Sequence, residues 1–161
     1  MKHAARTALI LLASLFLAGA AIAGPVSTDS FTVNLPDAYA APVMSTATQN
    51  GITTSTWIAK APTGEAVVIS VSTMPGKVDD PAKLIDSTRD SLLKSVKGTL
   101  ESEQPLAGPL LGRDLLFKSG TAFLHSRLIV SGERLYQLLY VGRTLPSATP
   151  RPWPRCSGHS R

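Results

Sequence analysis

The side chains best suited to chemistry in this sequence lie in one segment, residues 123–142. They are an imidazole, a guanidinium and two phenols, and they belong to His125, Arg127, Tyr136 and Tyr140. Apolar residues alternate on both sides of Gly132, which predicts two strands joined by a type II′ turn with Val130 opposite Leu135. In that register the four side chains share one face of the hairpin, and His125 lies opposite Tyr140.

This arrangement predicts a site for an anionic or aromatic ligand, because a guanidinium among aromatic rings offers both charge and stacking. The four residues are therefore candidate ligand-binding residues. The alternative is a half-solvated outer face in which Arg127 forms an ion pair with an acid such as Asp114 or Glu133.

A catalytic role would depend on His125. A hydrolase could use it with Asp114 or Ser126, if the folded chain brings these side chains together. The sequence lacks the G-x-S-x-G, Walker, Rossmann and H-E-x-x-H motifs, and its three histidines are too widely spaced for a metal site. The single cysteine, Cys156, cannot form an internal disulfide. We therefore expect a non-enzymatic protein with no metal and no cofactor.

Alternating segments predict the strands that surround the hairpin. The first is expected over residues 27–35. Three more, at Val43–Gln49, Ile52–Lys60 and residues 66–74, are expected to form an antiparallel meander, since Asn50-Gly51 is a strong type I′ turn signal. Residues 99–104 are expected to form an edge strand with its two glutamates exposed, and residues 113–118 to form the strand before the hairpin.

One amphipathic helix is expected after the meander. Asp80 is placed to cap it, Pro81 suits its first position and Gly98 suits its end. An apolar stripe along it is formed by Leu84, Ile85, Leu92, Leu93 and Val96. The sequence therefore predicts an α+β fold, in which this helix packs on an antiparallel sheet of about six to eight strands.

Both ends of the chain differ in composition from its body. Residues 1–23 combine Lys2 and Arg6 with an apolar run and an Ala21-Ile22-Ala23 cleavage site, which is typical of a secretory signal peptide. Residues 143–161 are rich in proline and arginine and predict a disordered tail. A single domain is expected over residues 24–142. The protein should thus be periplasmic or secreted, with no stable membrane span once the signal is removed.

The net charge of +5 arises at the ends of the chain. Residues 24–142 contain 10 of the 16 basic residues and all 11 acidic residues, so their balance is −1. A basic groove for nucleic acid is therefore not expected, although the arginines of the tail allow attachment to anionic surfaces as an alternative. The expected partner is a protein or a small ligand of the cell envelope.

Four short stretches carry a resemblance to a known family. They are FTVNLPD at residues 31–37, DDPAKLIDSTRDSLLK at 79–94, GRDLLF at 112–117 and SRLIVSGERLYQLLYVG at 126–142. These stretches resemble small exported bacterial proteins related in fold to the PsbP-like group. The resemblance implies an antiparallel sheet flanked by helices, usually without known catalysis, and photosynthetic members are extrinsic subunits. It transfers no catalytic residue to this chain.

Members of that family tend to end in a short amphipathic helix, where this chain has TLPSATPRPWPRCSGHSR. Our hypothesis is that the tail is a frameshifted or truncated end, which would leave one face of the sheet without its cover. An intact reading frame that keeps the proline-rich end in close relatives would contradict this hypothesis.

Overall fold

A computed structural model describes residues 25–28, 31–35, 37–107 and 109–144. The predicted signal peptide and residues 145–161 of the predicted tail lie outside these ranges. Within the described residues the chain forms one helix, a large antiparallel sheet and a small two-stranded sheet. The α+β fold predicted from the sequence is confirmed.

The strands divide into a small hairpin and a seven-stranded sheet. Strands β1 (Val26–Ser27) and β2 (Thr32–Val33) pair with each other. The large sheet contains β3 (Val43–Gln49), β4 (Ile52–Lys60), β5 (Ala66–Thr73), β6 (Thr99–Pro105), β7 (Leu111–Ser119), β8 (Ala122–Ser131) and β9 (Arg134–Gly142). Their spatial order is β3-β4-β5-β9-β8-β7-β6, and every neighbouring pair is antiparallel. The meander β3–β5 therefore forms one half of the sheet, and β9 returns to pair with it.

Two tight turns fix the register of the hairpins. Asn50 and Gly51 have φ values of 52° and 78°, as a type I′ turn requires. From this turn back to Val43, the pairing of β3 with β4 contains no register shift. Gly132 has a φ of 61°, and Val130 pairs with Leu135. The predicted meander and the predicted faces of the β8–β9 hairpin are both confirmed.

The helix α1 spans Pro81–Val96. Asp80 caps its first turn by accepting a hydrogen bond from the Lys83 amide at 3.0 Å, and Pro81 needs no amide partner at that end. At the other end the Ser119 hydroxyl donates to the Val96 carbonyl at 2.6 Å. No helix in the described ranges is long and apolar enough to cross a membrane.

The large sheet has a different cover on each of its two sides. On the helix face, the apolar stripe of α1 packs around Ile85, which is 1 % exposed, over β7, β8 and β9. On the opposite side, which we call the far face, the N-terminal segment (the described part of residues 25–40) packs over β4, β5 and β9. The two layers are offset, so each covers a different half of the sheet.

The predicted first strand is wrong. Residues 27–35 do not form one strand, because the chain reverses where the Thr28 amide donates to the Phe31 carbonyl at 2.9 Å, and the small β1–β2 hairpin results. The apolar residues Phe31, Val33 and Leu35 are nevertheless all buried in the cluster on the far face of the large sheet. Their alternation therefore marked the buried positions but not the turn.

Two details after α1 also differ from the predictions. Lys97, and not Gly98, adopts the left-handed conformation that ends the helix, with a φ of 49°. Glu103 of β6 is not exposed as predicted, because the β6–β7 register shifts between Leu100 and Ser102. That shift turns Glu103 toward the helix face, where its carboxylate accepts hydrogen bonds from Arg89 and Arg113.

Candidate functional site

The β8–β9 pairing places all four predicted ligand-binding residues on the far face. His125 pairs with Tyr140, while Arg127 pairs with Leu138. Tyr136 lies nearest the N-terminal segment and packs edge-on against Phe31, with ring centroids 6.1 Å apart. Tyr136 is therefore part of the apolar cluster under that segment, whereas His125 and Arg127 lie toward β7.

Asp114 of β7 orients both of these side chains. Because β7 pairs with β8, Asp114 lies directly opposite Arg127. Arg127 donates from Nε to Asp114 Oδ1 at 2.9 Å and from Nη2 to Oδ2 at 2.6 Å, which is a bidentate pair. His125 Nε2 lies 3.6 Å from the same Oδ1. This is the ion pair described above as the alternative arrangement of Arg127.

The charge state of Asp114 follows from these contacts. Its side chain is 28 % exposed, and burial taken alone raises the pKa of its carboxyl group. The hydrogen bonds and charges of His125 and Arg127 act in the opposite direction, and together they lower the pKa of Asp114 to about 2. The carboxylate is therefore ionised throughout the neutral pH range.

Three further side chains of β7 and β8 complete a surface that we call the far-face patch. Lys118 Nζ lies 5.9 Å from the centre of the Phe123 ring, and Leu116 pairs with His125. The far-face patch consists of Asp114, Leu116, Lys118, Phe123, His125 and Arg127. Within the described ranges, none of these six residues belongs to either buried cluster.

Tyr140 borders the far-face patch, but its ring lies along β9. The ring covers Gly142, where a Cβ would collide with the phenol group, and its hydroxyl donates to the Thr144 carbonyl at 3.5 Å. Burial raises the pKa of Tyr140, and the nearby Glu65 carboxylate adds to this effect, so the pKa reaches about 12. Tyr140 is therefore a neutral hydroxyl group at physiological pH.

An open cleft of about 450 Å³ lies at this end of the sheet. Glu65 contributes one wall, and Gly142, Arg143 and Thr144 contribute another. None of the six residues of the far-face patch lines this cleft. The far-face patch is therefore a surface on adjacent strands rather than the wall of that cleft.

The hydrolase hypothesis required His125 to meet Asp114 or Ser126. Asp114 does lie beside His125, as described above. Ser126 is fully buried on the helix face, where Gln137 Nε2 donates to its hydroxyl at 3.4 Å. Because successive residues of a strand point to opposite faces, Ser126 cannot contact the His125 side chain. Only the Asp114–His125 part of that hypothesis is assembled by the fold.

The sequence indicated Asp114 or Glu133 as the ion-pair partner of Arg127, and Asp114 or Ser126 as the partner of His125. It did not identify Lys118 or Phe123 as site residues. A signal for Lys118 was present, since Asp114, Leu116 and Lys118 alternate along residues 113–118. What the sequence could not give was the pairing of β7 with β8, which puts these side chains beside His125 and Arg127.

Comparisons of the chain with protein-family models, with curated proteins and with solved structures found no match. The PsbP-like resemblance therefore stays a prediction.

Proposed function

We propose that this protein is a non-enzymatic domain, exported to the periplasm or the cell exterior, that binds another envelope protein through the far-face patch. The observation that carries the proposal is the position of Asp114, which holds His125 and Arg127 together on a part of the sheet outside both buried clusters. Side chains oriented in advance lose less conformational freedom on binding. The PsbP-like resemblance supports the same function, since the photosynthetic members are extrinsic subunits.

A protein partner fits this surface better than a small ligand. Small ligands bind in concave sites that enclose most of their surface, whereas the six residues stand side by side on β7 and β8. Arginine and aromatic residues, here Arg127 and Phe123, are the types that contribute most at the centres of protein interfaces. The far-face patch therefore has the composition of a small interface, and its side chains are half-buried or exposed rather than enclosed.

The charges of the far-face patch indicate what the partner should present. Lys118 and Arg127 carry positive charges, and Asp114 neutralises one of them, so these three side chains together have a net charge of about +1. A complementary surface therefore carries at least one carboxylate, next to an apolar area that can cover Leu116 and Phe123.

The proposal is tested with a photo-crosslinking amino acid in the full-length protein, expressed in cells that export it. Replacing Leu116 by this amino acid places the reactive group in the centre of the far-face patch. Placing it at Lys94, which is exposed on α1, gives the matched control. We expect the Leu116 position to yield a discrete adduct with one envelope protein and the Lys94 position to yield none.

A second pair of variants tests the chemistry of the contact. Arg127→Gln removes the guanidinium from the far-face patch, and Arg113→Gln removes an ion-paired guanidinium of similar exposure from the helix face. We expect Arg127→Gln to reduce the adduct at Leu116 at least several-fold, while Arg113→Gln leaves it unchanged. An adduct that forms equally at Leu116 and Lys94, or that survives Arg127→Gln, would show that the far-face patch is not the interface.

A further inference from the structure

The two edges of the large sheet are protected to very different degrees. Strand β6 ends one side, and it carries Glu101 and Glu103, ends at Pro105 and contains a register shift after Leu100. Strand β3 ends the other side, and its sequence VMSTATQ contains no charged residue and no proline. Its pairing with β4 is continuous over all seven residues.

An edge strand exposes unpaired backbone amides and carbonyls, which can pair with another strand. Natural proteins limit this with charges, prolines, bulges or a covering segment. Strand β6 has charged residues, a proline and a register shift. Strand β3 has none of these. In the part of the chain that the structure describes, no strand pairs with the outer edge of β3. That edge is therefore geometrically able to accept a strand.

The side chains of β3 are also accessible. Val43 and Met44 are 48 % and 55 % exposed, and they belong to the few large apolar side chains in the described ranges with such exposure. They point to opposite faces of the sheet, so an added strand would cover part of both. An uncharged edge with accessible side chains on both faces favours addition of a strand that is itself uncharged.

We propose that β3 is a dimerisation edge, at which β3 of a second copy of this chain pairs in antiparallel orientation about a two-fold axis at Thr46. A two-fold contact uses the same surface on both copies, so the strand must be complementary to itself. In this register Thr46 faces Thr46 of the second copy, and Met44 faces Thr48. No like charges are brought together, because β3 has none.

The hydroxyl groups of β3 support this register. On the far face, Thr46 Oγ1 lies 3.1 Å from Ser55 Oγ, and Thr48 Oγ1 lies 3.0 Å from Thr53 Oγ1. These cross-strand pairs form a ladder of hydroxyl groups that stops at the edge of the sheet. Pairing Thr46 with its own copy continues the ladder across the interface, and threonine pairs of this kind stabilise adjacent strands.

The interface would be small. Seven residues extend over roughly 23 Å. Pairing along this one strand would bury less area than a standard stable interface does. The dimer should therefore be weak and dissociate reversibly. Two copies joined in this way would form one continuous sheet of fourteen strands, twice the seven of a single chain.

Sedimentation of the chain from residue 24 to residue 161, over a concentration series and with a reductant that keeps Cys156 from forming disulfides, tests the proposal. We expect a reversible monomer–dimer equilibrium for the unmodified chain. Thr46→Lys and Thr46→Asp should each weaken dimerisation at least tenfold, because each places two like charges opposite each other. A mixture of the two variants should dimerise again, since the lysine of one copy then faces the aspartate of the other.

Thr99→Lys is the matched control, since Thr99 is an exposed threonine on the far face of the other edge strand and also forms a side-chain hydrogen bond. The Thr99→Lys variant should dimerise with the same dissociation constant as the unmodified chain. The proposal is overturned if the unmodified chain stays monomeric at millimolar concentration, which would leave the edge to a strand of another protein. It is also overturned if the lysine and aspartate variants dimerise separately as well as they do when mixed.

Discussion

At the scale of single residues, Asp114 determines how the far-face patch presents its positive charges. The side chains of Asp114, His125 and Arg127 are 28 %, 20 % and 24 % exposed, between the extremes of a surface ion pair and a buried one. A pair in this range contributes more than a fully exposed pair, and removing one partner leaves the other partly desolvated. The carboxylate therefore fixes the direction of both side chains, and each of them depends on it.

Arg127→Gln should raise the pKa of Asp114 from about 2 toward the ordinary 3.8, because a main source of the lowered value is lost while the effect of burial stays. Titration of the carboxyl carbon by NMR measures this value directly. Arg113→Gln on the helix face is the control, and it should leave the pKa of Asp114 unchanged. A pKa near 4 in the unmodified protein would show that the bidentate pair does not form in solution.

The same shift links folding to pH. The folded-state pKa of Asp114 is depressed, so its contribution to stability is complete above about pH 4 and is lost as the pH falls toward about 2. The shift corresponds to about 2 kcal/mol. Chemical denaturation at a series of pH values should show this loss in the unmodified protein, and the part due to Asp114 should be missing in Asp114→Asn.

At the scale of elements, the junction between α1 and β6 explains why a glycine signal was misread. Gly98 was expected to end the helix, but Lys97 takes the left-handed conformation at that end. The structure shows a different reason for a glycine at residue 98, since a Cβ there would collide with the backbone carbonyl of Lys118. The absence of a side chain at residue 98 lets β6 begin directly against the end of β7.

Gly98→Ala should therefore destabilise the protein by about 1 to 3 kcal/mol, because backbone atoms must move to admit the methyl group. Gly76→Ala is the matched control, since a Cβ at residue 76 meets nothing within 4 Å and its φ is not in the positive region. That variant should be neutral or more stable by up to about 1 kcal/mol. Urea denaturation compares the two, and equal stabilities would mean that the close approach at Lys118 relaxes without cost.

How far the sequence predicted each element depended on whether its cause was local. The β3–β4 and β8–β9 hairpins were predicted with their register, because a turn of fixed geometry and an alternating pattern lie within one short segment. The register of β6 with β7 was not predicted, because the shift after Leu100 depends on both strands. The surroundings of Arg127 depended in turn on β7, so the sequence left its carboxylate partner open between acids such as Asp114 and Glu133.

At the scale of the whole molecule, two apolar layers lie on opposite sides of one sheet and share strand β9. Tyr136 and Leu138 of β9 pack with the N-terminal segment, while Leu135 and Leu139 pack with the layer under α1. Each layer covers only half of the sheet, so each half of the sheet is fully covered on one face only. Both cores therefore pack against the same sheet, which predicts that the two layers unfold together.

This coupling can be tested by weakening each layer in turn. Phe31, 6 % exposed, packs edge-on against Trp57 at 5.7 Å between ring centroids, and Ile85, 1 % exposed, anchors α1. Phe31→Ala should cost about 3 to 5 kcal/mol and Ile85→Ala about 2 to 5 kcal/mol. With Trp153 replaced by phenylalanine, Trp57 fluorescence reports the N-terminal layer and circular dichroism at 222 nm reports the helix.

If the sheet couples the layers, the fluorescence and dichroism transitions coincide in the unmodified protein and shift together in both variants. The matched pair is informative because each substitution acts on one face of the sheet while both probes are read. A fluorescence transition that shifts alone in Phe31→Ala would contradict the expectation. It would mean that the N-terminal segment separates from the sheet while the half built on α1 stays folded, and the domain would then contain two cooperative units.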